Sequence, residues 1–336
     1  MSGPDTDAAA GAVGRAAIAD RLRALQGAAL TLPVAYGGTL LLLLCAYIAR
    51  PALLSPFLLL LILRQAAPLG IAVLGQSLCM RVLSLDLSFG GVAMVVSYIL
   101  TAGMLPLPDW LLILLCLGVG IAVGAANAIF ITWLRASSVI VTLAMAMVLG
   151  GIVIAFSQFR APGDAPELLR LVGQARIGIV PVAPFVWLAL LVPLALFLRL
   201  SVFGRHVDAI GANPRAAWTS GIPVVQVIFI VHILSATFAV FSAFLLVGFV
   251  GVGSIDIGRD LALNSLAAVI LGGVTFGAGR GGVVGPAVAA FMLTFLFNLL
   301  TSFGLGEPGK LMMQGAIVAL AAIAYTARNR NRGIWK

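Results

Sequence analysis

Polar side chains inside long apolar runs are the residues of this sequence best able to do chemistry. A polar group in a membrane-embedded helix is costly to bury, so such groups usually face the interior of a helix bundle. The polar residues within the runs are predicted to face the interior, and these are Gln76, Asn127, His232, Asn264, Asn298 and Gln314. A translocation pathway could be lined by Gln76, Asp86, Ser88, Asn264, Asn298 and Gln314. Hydrogen bonding between helices would explain each of them equally well.

Asp86 stands in the segment Leu83 to Gly91, directly before an apolar run. A carboxylate at the start of a membrane helix can be satisfied by the free backbone N–H groups and by the helix dipole. Capping is therefore the simpler role for Asp86, and direct contact with a substrate is the alternative.

The stretch 199–222 is predicted to be the longest cytoplasmic loop. Gly204 is expected to end the preceding helix. Asn213 and Pro214 form an N-cap and first-turn pair for a short helix from Arg215 to Ser220, which Gly221 then terminates. The small faces of Ala216 and Ala217 suit insertion into a groove of a partner. A solvated loop with ordinary caps is the alternative.

A glycine-rich stretch, 267–285, contains the formal pattern G-x-G-x-x-G. Dinucleotide binding would also require a strand, a soluble helix and an acidic residue further on, and the sequence has none of them. We predict a turn between two membrane helices, built from Gly272, Gly273, Gly279, Arg280 and Gly281. The sequence also lacks G-x-x-x-x-G-K-[ST], so we expect neither this ATP site nor any cofactor on the chain.

Cysteine and histidine are scarce and scattered. Cys45, Cys79 and Cys116 are isolated in or beside apolar runs and are predicted to be small core residues. His206 and His232 are far apart in sequence, so we expect no metal site.

These residues must be positioned by membrane helices. The 336 residues are 62% hydrophobic and 9% charged, with a mean hydropathy of +1.16, which predicts an all-α polytopic membrane protein and excludes a soluble domain. About ten transmembrane helices are expected, near 31–48, 66–83, 88–105, 110–133, 138–157, 183–200, 223–246, 262–276, 283–304 and 310–326. The stretch 53–83 could be one kinked helix or a half-helix followed by a span. No internal repeat is evident.

The net charge of +9 is interpreted through the positive-inside rule rather than as a sign of nucleic acid binding. Basic residues sort to one side of the ten-span arrangement and place both termini in the cytoplasm. Residues 1–27 are predicted to be a cytoplasmic tail with an amphipathic helix, residues 28–327 the membrane domain, and residues 328–336 a basic cytoplasmic tail.

Three of these stretches resemble motifs of one family, the ribose-type permeases of ABC importers. The 204–222 stretch resembles its cytoplasmic motif through Gly204, Arg205, Ala209, Ile210, Gly211, Asn213, Ala216, Ala217, Ser220 and Gly221. The glycine-rich turn resembles a second signature, and Asp86-Leu87-Ser88-x-Gly90 a third. The resemblance covers residues 55–326. The sequence departs from the family at Leu83, Ser84 and Leu85, where Gly-Gly-Ile is usual, and at Pro214.

The resemblance implies a transport subunit of the bacterial inner membrane, not an enzyme. Its implied partners are a second permease chain, identical or paralogous, a cytoplasmic subunit that binds ATP and Mg, a periplasmic solute-binding protein and the lipid bilayer. The ATPase would dock on the 204–222 loop. Members of the family carry ribose, other monosaccharides or autoinducer-2.

A secondary carrier driven by an ion gradient is the alternative. Such a carrier would favour a membrane-embedded acid as its coupling site. The acids near spans are expected at the edges of the runs, and these are Asp86, Asp109, Asp208, Asp256, Asp260 and Glu307.

Overall fold

The computed structural model describes residues 33–158, 160–275, 279 and 281–330, with the backbone alone at 318 and 320–330. The amphipathic helix predicted within 1–27, residues 331–336 of the predicted basic tail and Arg280 lie outside the described residues.

Helices make up most of the described chain. The first half contains α1 (Val34–Ala49), a 3-10 turn (Pro51–Leu54), α2 (Pro56–Arg81), α3 (Phe89–Thr101), α4 (Asp109–Thr132) and α5 (Ser138–Ser157). The segment that follows α5 contains α6 (Glu167–Gln174) and a hairpin of β1 (Arg176–Ile177) and β2 (Val180–Pro181). The second half contains α7 (Ala183–Leu200), α8 (Val202–Ala212), α9 (Pro214–Thr219), α10 (Val224–Val250), α11 (Leu261–Leu271), α12 (Val284–Ser302) and α13 (Glu307–Arg330).

Six helices in the described part of the chain are long and apolar enough to cross a membrane, namely α2, α4, α5, α7, α10 and α12. The predicted all-α polytopic membrane class is therefore confirmed. Helices α3 and α11 are apolar but have only 13 and 11 residues. They are about 20 and 16 Å long, whereas the hydrocarbon core is about 30 Å thick. Each must therefore begin or end inside the bundle.

The stretch whose organisation the sequence left open, 53–83, contains one continuous helix. Helix α2 begins at Pro56, ten residues before the predicted span, because Ser55 caps it and accepts a hydrogen bond from the Leu58 N–H at 3.4 Å. Pro68 lies within the helix without ending it. Its carbonyl accepts a hydrogen bond from the Ser242 hydroxyl of α10 at 2.7 Å.

Helices α2 and α10 form the centre of the fold and pack against each other along their length. Cys79 lies near His232, and Arg64 stacks over Phe249. Because the residues that meet run in opposite order, the two helices are antiparallel. Helix α4 packs on another side of α10, where Gly124 contacts the backbone of His232 and Ile233.

The close contact at Gly124 gives a stability prediction. A Cβ at this position would lie 2.6 Å from the His232 carbonyl oxygen and 2.7 Å from the Ile233 Cα. We expect Gly124→Ala to destabilise the fold by about 1–3 kcal/mol, because backbone atoms cannot move aside. Thermal unfolding of the purified permease in detergent measures this.

Gly118 on the same helix provides the matched control, because a Cβ there would meet nothing within 4 Å. Gly118→Ala should leave the unfolding midpoint unchanged or slightly raised. Equal midpoints for the two variants would contradict the close α4–α10 contact.

The structure also reveals a repeat that the sequence analysis did not detect. The succession of a long helix, a loop, a short helix and two longer helices occurs in α2–α5 and again in α10–α13. The first loop contains Ser84-Leu85-Asp86-Leu87-Ser88, and the second contains Ser254-Ile255-Asp256-Ile257-Gly258. Because α2 and α10 are antiparallel, these two loops lie at opposite ends of the bundle.

Candidate functional site

The loop between α2 and α3 lies inside the bundle rather than on its surface. Leu83 takes a left-handed conformation, with a φ of 62°, and turns the chain back from the end of α2. The Leu85 N–H donates to the Ser138 hydroxyl at 3.1 Å, and the Leu87 N–H donates to Thr142 Oγ1 at 2.9 Å. Both acceptors belong to α5, so the loop is fixed to that helix.

Asp86 is the central acceptor of a buried network and has no exposed surface. One carboxylate oxygen accepts from the Ser88 N–H at 2.9 Å and from the Ser88 hydroxyl, and the other accepts from the Ser235 hydroxyl at 2.7 Å. The Asn127 amide donates to Ser88 Oγ at 3.1 Å. Hydrogen bonds to an ionised group are roughly twice as strong as neutral ones, so this network holds the carboxylate firmly.

Asp86 lies between the end of α2 and the start of α3, at the edge of both helices, but its loop is buried in the bundle. Helix α3 is too short to cross the membrane, so the loop that precedes it enters the bundle and carries Asp86 with it. Asp86 accepts a hydrogen bond from the backbone N–H of Ser88, the residue that precedes α3, and so closes a turn before the helix. None of the described hydrogen bonds joins Asp86 to an N–H within α3, so the capping role stays a prediction.

The other predicted pathway residues do not join this network by any hydrogen bond within the described chain. The Asn298 amide instead donates to Gln65 Oε1 and to the Thr294 carbonyl, each at 2.9 Å, and links α12 to α2. Gln76 is fully buried, and neither of its side-chain amide atoms has a described partner. The same holds for Asn264 Oδ1 and Gln314 Nε2.

The polar stretch between α7 and α10 contains two helices rather than one. Gly204 does not end the preceding helix, contrary to expectation. Helix α7 ends at Leu200, and Ser201 caps α8 by accepting a hydrogen bond from the Gly204 N–H at 3.1 Å. Gly204 lies within α8, where a Cβ would overlap the Leu198 carbonyl. The glycine therefore permits the tight corner between α7 and α8.

Helix α9 forms through the caps that the sequence predicts, one residue earlier than expected. Asn213 Oδ1 accepts from the Arg215 and Ala216 N–H groups at 3.0 and 3.1 Å. Gly221 follows the helix with a φ of 80°. The chain is therefore held in one local conformation.

The exposed face of this stretch differs from the expected one. Arg205, Asn213, Ala216, Ser220 and Gly221 are exposed, whereas Gly204, Ile210, Gly211 and Ala217 are buried and Ala209 is half-buried. Ala217 faces the interior of its own chain, so its predicted place on a partner-facing surface is wrong. Trp218, which sequence reasoning missed, is 62% exposed. A large aromatic residue among polar neighbours was the available signal.

Two of the predicted motifs meet at Gly211, beside the end of α2. A Cβ there would overlap the Arg81 carbonyl at the end of α2 and would lie 2.8 Å from the Cα of Gly279 in the glycine-rich turn. The Arg81 guanidinium, 5% exposed, forms an ion pair with Asp208 of α8 at 2.6 Å. Since α2 continues directly into the Asp86 loop, the α8–α9 segment is tied to the buried network.

The glycine-rich stretch connects the short apolar helix α11 to α12, which is long enough to cross a membrane. Gly272 follows the end of α11, and Gly273, Gly279 and Gly281 have φ values of 87°, 57° and 132°. Such values favour glycine, because a side chain would be strained there.

Cys79 and His232 also lie beside Asp86, although 153 residues separate the first two in sequence. Cys79 Sγ is 4.0 Å from His232 Nδ1. His232 Nε2 is 2.8 Å from the Ser84 hydroxyl, at hydrogen-bond distance. Sequence spacing could not reveal this group, because it depends on the pairing of α2 with α10.

Comparison with known proteins places these features in a family. Residues 58–326 match the family described as branched-chain amino acid transport system / permease component. A probable ABC transporter permease, y4mJ, of Sinorhizobium fredii is 30% identical over 78% of each chain. The ribose import permease RbsC of Bacillus subtilis is 28% identical over 85% of this chain and 90% of its own. The xylose/arabinose import permease XylH of Sulfolobus acidocaldarius is 28% identical over 80% and 77%.

No solved structure matches the chain. The match of the family nevertheless includes α3 to α12, the buried Asp86 loop, the α8–α9 segment and the glycine-rich turn. It confirms the resemblance drawn from the three motifs. The chain is a transport subunit and belongs to the permease-component family of branched-chain amino acid and related transport systems.

Proposed function

We propose that this chain is the membrane-spanning subunit of an ABC importer that carries a monosaccharide or a similar small polar solute, driven by ATP hydrolysis on a separate subunit. The named relatives that import ribose and xylose or arabinose support the solute class. The observation that carries the proposal is the α8–α9 segment, which is rigidly capped, exposed on one face and tied by Arg81 and Gly211 to the buried loop.

The ATPase docks on the exposed face of this segment. We define the docking surface as Arg205, Asn213, Arg215, Ala216 and Trp218, all of which are exposed. The surface combines two positive charges with an aromatic side chain, and arginine and tryptophan are enriched where partners bind. ATP and Mg belong to that partner. A second permease chain, identical or paralogous, and a periplasmic solute-binding protein complete the importer in the bacterial inner membrane.

We also propose ten membrane-inserted helices, α1–α5, α7 and α10–α13, with both termini in the cytoplasm. Residues 28–327 then form the membrane domain between two cytoplasmic tails, 1–27 and 328–336. In this arrangement the chain crosses the membrane five times, through α2–α5 and α7, between the start of α2 and the start of α10. The two helices therefore begin on opposite sides of the membrane, which agrees with their antiparallel packing. The α8–α9 segment then lies in the cytoplasm, and α6 lies outside.

Cysteine labelling tests this topology. In a Cys45→Ser background, a cysteine at exposed Arg170 of α6 should react with a membrane-impermeant reagent in intact cells. A cysteine at exposed Arg215 should react only after permeabilisation. The two remaining native cysteines, Cys79 and Cys116, are buried. Reversed accessibility would overturn the ten-span arrangement.

The translocation pathway follows the buried polar residues near the bundle centre. Asp86 and Ser88 lie on it, and Gln76, Asn264, Asn298 and Gln314 are its further candidates. The unpartnered amide of Gln76 supports this assignment, because a buried polar group without a protein partner needs water or a ligand. Selection of the solute is then mainly the task of the binding protein.

One observation would suit a secondary carrier instead, namely that Asp86 is buried within the membrane domain. A protonatable carboxylate in that place could couple transport to an ion gradient. The family match and the named relatives support the ATP-driven importer.

Reconstitution distinguishes the two functions and identifies the solute. The permease, its ATPase and its binding protein are placed in proteoliposomes, and ATP hydrolysis is measured with ribose, xylose, arabinose and autoinducer-2. We expect one of these to stimulate hydrolysis and to be taken up even when an ionophore collapses the gradients. Uptake that needs a gradient but no ATP would establish the carrier.

A further inference from the structure

Three potential metal-ligand side chains converge where α2, the Asp86 loop and α10 meet. Cys79, Asp86 and His232 each present one donor atom, and these three atoms lie within 4.8 Å of one another. All three side chains are buried. A thiolate, a carboxylate and an imidazole are the ligand types that bind zinc in proteins.

The spacing of the donor atoms is close to that of a tetrahedral site. Metal–ligand bonds of the usual zinc lengths place the donors about 3.4–3.6 Å apart. Cys79 Sγ and His232 Nδ1 are already 4.0 Å apart. Small rotations of the side chains would bring the three donors onto one ion, with no change in the helices.

The groups around these donors are those that a metal site needs. A metal-ligating histidine usually donates its other ring N–H to a neighbouring acceptor, which fixes the ring. The Ser84 hydroxyl stands 2.8 Å from His232 Nε2 and can accept that bond while Nδ1 faces Cys79. A carboxylate has about four lone-pair sites, and Asp86 uses three of them for Ser88 and Ser235. One remains for a metal ion.

Charge balance favours a divalent cation at this place. None of the ion pairs among the described residues involves Asp86. An isolated buried charge is costly unless it is compensated. A divalent ion bound by the carboxylate and the Cys79 thiolate makes the group neutral. The thiol proton is released to solvent as the metal–sulfur bond forms.

A cleft provides an approach to the site. It has a volume of about 240 Å³ and lies between the end of α2 and the start of α5, with Met80, Leu83, Ser84, Ser137 and Ser138 in its wall. Ser84 belongs both to this wall and to the His232 hydrogen bond. An ion that enters the cleft therefore meets the outer ligand shell first.

We propose that Cys79, Asp86 and His232 bind a divalent metal ion of the zinc class. The ion joins α2, the Asp86 loop and α10, and it fixes three elements that the transport cycle would otherwise move relative to one another. The site is independent of which solute the importer carries.

Equilibrium zinc binding to the full-length permease, purified without a histidine tag and reduced, tests the proposal. We expect about one ion per chain in the wild type. Ser84→Ala should weaken binding by about 10–100-fold, as the loss of an outer-shell partner does, and Cys79→Ser and His232→Gln should weaken it further. Cys116→Ser is the matched control, since this buried thiol on α4 faces the Val96 carbonyl at 4.0 Å and is not one of the three donors. Unchanged affinity in both Cys79→Ser and His232→Gln would overturn the proposal.

A spectroscopic measurement keeps the test decisive if a ligand variant folds poorly. In a Cys45→Ser, Cys116→Ser chain, Cys79 is the one remaining cysteine. Cadmium should then produce the ultraviolet absorption of a cadmium–thiolate bond. If this absorption is absent at saturating cadmium in the folded chain, Cys79 does not bind metal and the assignment fails.

Discussion

Replacing Gly211 with valine is expected to abolish binding-protein-stimulated ATP hydrolysis in the reconstituted importer. The added Cβ would overlap the Arg81 carbonyl and press on Gly279, and these backbone atoms cannot yield without separating α8 from the end of α2. The docking surface would then no longer be connected to the Asp86 loop. Coupling between two sites requires an element that both sites can shift between discrete positions.

Its neighbour Ala212 is the control for this variant. Ala212 lies on the same helix and is exposed, so Ala212→Val should retain stimulated hydrolysis. Membrane insertion and yield should be normal for both variants. If Gly211→Val hydrolyses ATP at the normal stimulated rate and supports uptake, the α8–α9 segment is only a connector.

Asp86→Asn is expected to lower uptake at least tenfold while the amount of folded permease falls much less. The asparagine amide would place donor hydrogens against groups that already donate, namely the Ser88 N–H and hydroxyl or the Ser235 hydroxyl. Each hydrogen bond to a charged group contributes about 1.5–3 kcal/mol. The loop would therefore lose its fixed geometry inside a bundle that is otherwise intact.

Asp256→Asn is the matched control, because Asp256 occupies the equivalent place in the second repeat. Its side chain is 70% exposed, with an ion pair to Arg259 at 3.7 Å, and exposed pairs contribute little. Uptake and the amount of folded permease, measured on the same membranes, decide the outcome. If uptake and the amount of folded permease fall equally in Asp86→Asn, Asp86 has only a structural role.

Local chemistry made some of these features predictable from sequence. The caps of α9 depend on Asn213, Pro214 and Gly221, each of which acts on the nearest turn of the chain. The structure places that helix one residue from its predicted position. Apolar runs likewise located the six helices that are long enough to cross a membrane, because hydropathy is a sum over neighbouring residues.

Features that depend on packing were not predictable. Hydropathy cannot show that a loop enters the bundle, so the burial of Asp86 was not foreseen. A six-residue helix has too few turns for its buried face to be read from periodicity, so Ala217 was assigned to the wrong side. Cys79 and His232 come together only through the antiparallel pairing of α2 and α10.

The antiparallel repeat has a consequence for the direction of transport. A bundle made of two identical inverted halves would look the same from either side of the membrane and could not distinguish import from export. The two halves of this chain differ in their five-residue loops, because Asp86 is buried among serines whereas its counterpart Asp256 is exposed. Vectorial movement must therefore arise from what breaks this symmetry, namely the divergence of the two loops and the α8–α9 segment, which occurs once, between the two halves. Placing the same five-residue loop in both halves would remove part of this asymmetry.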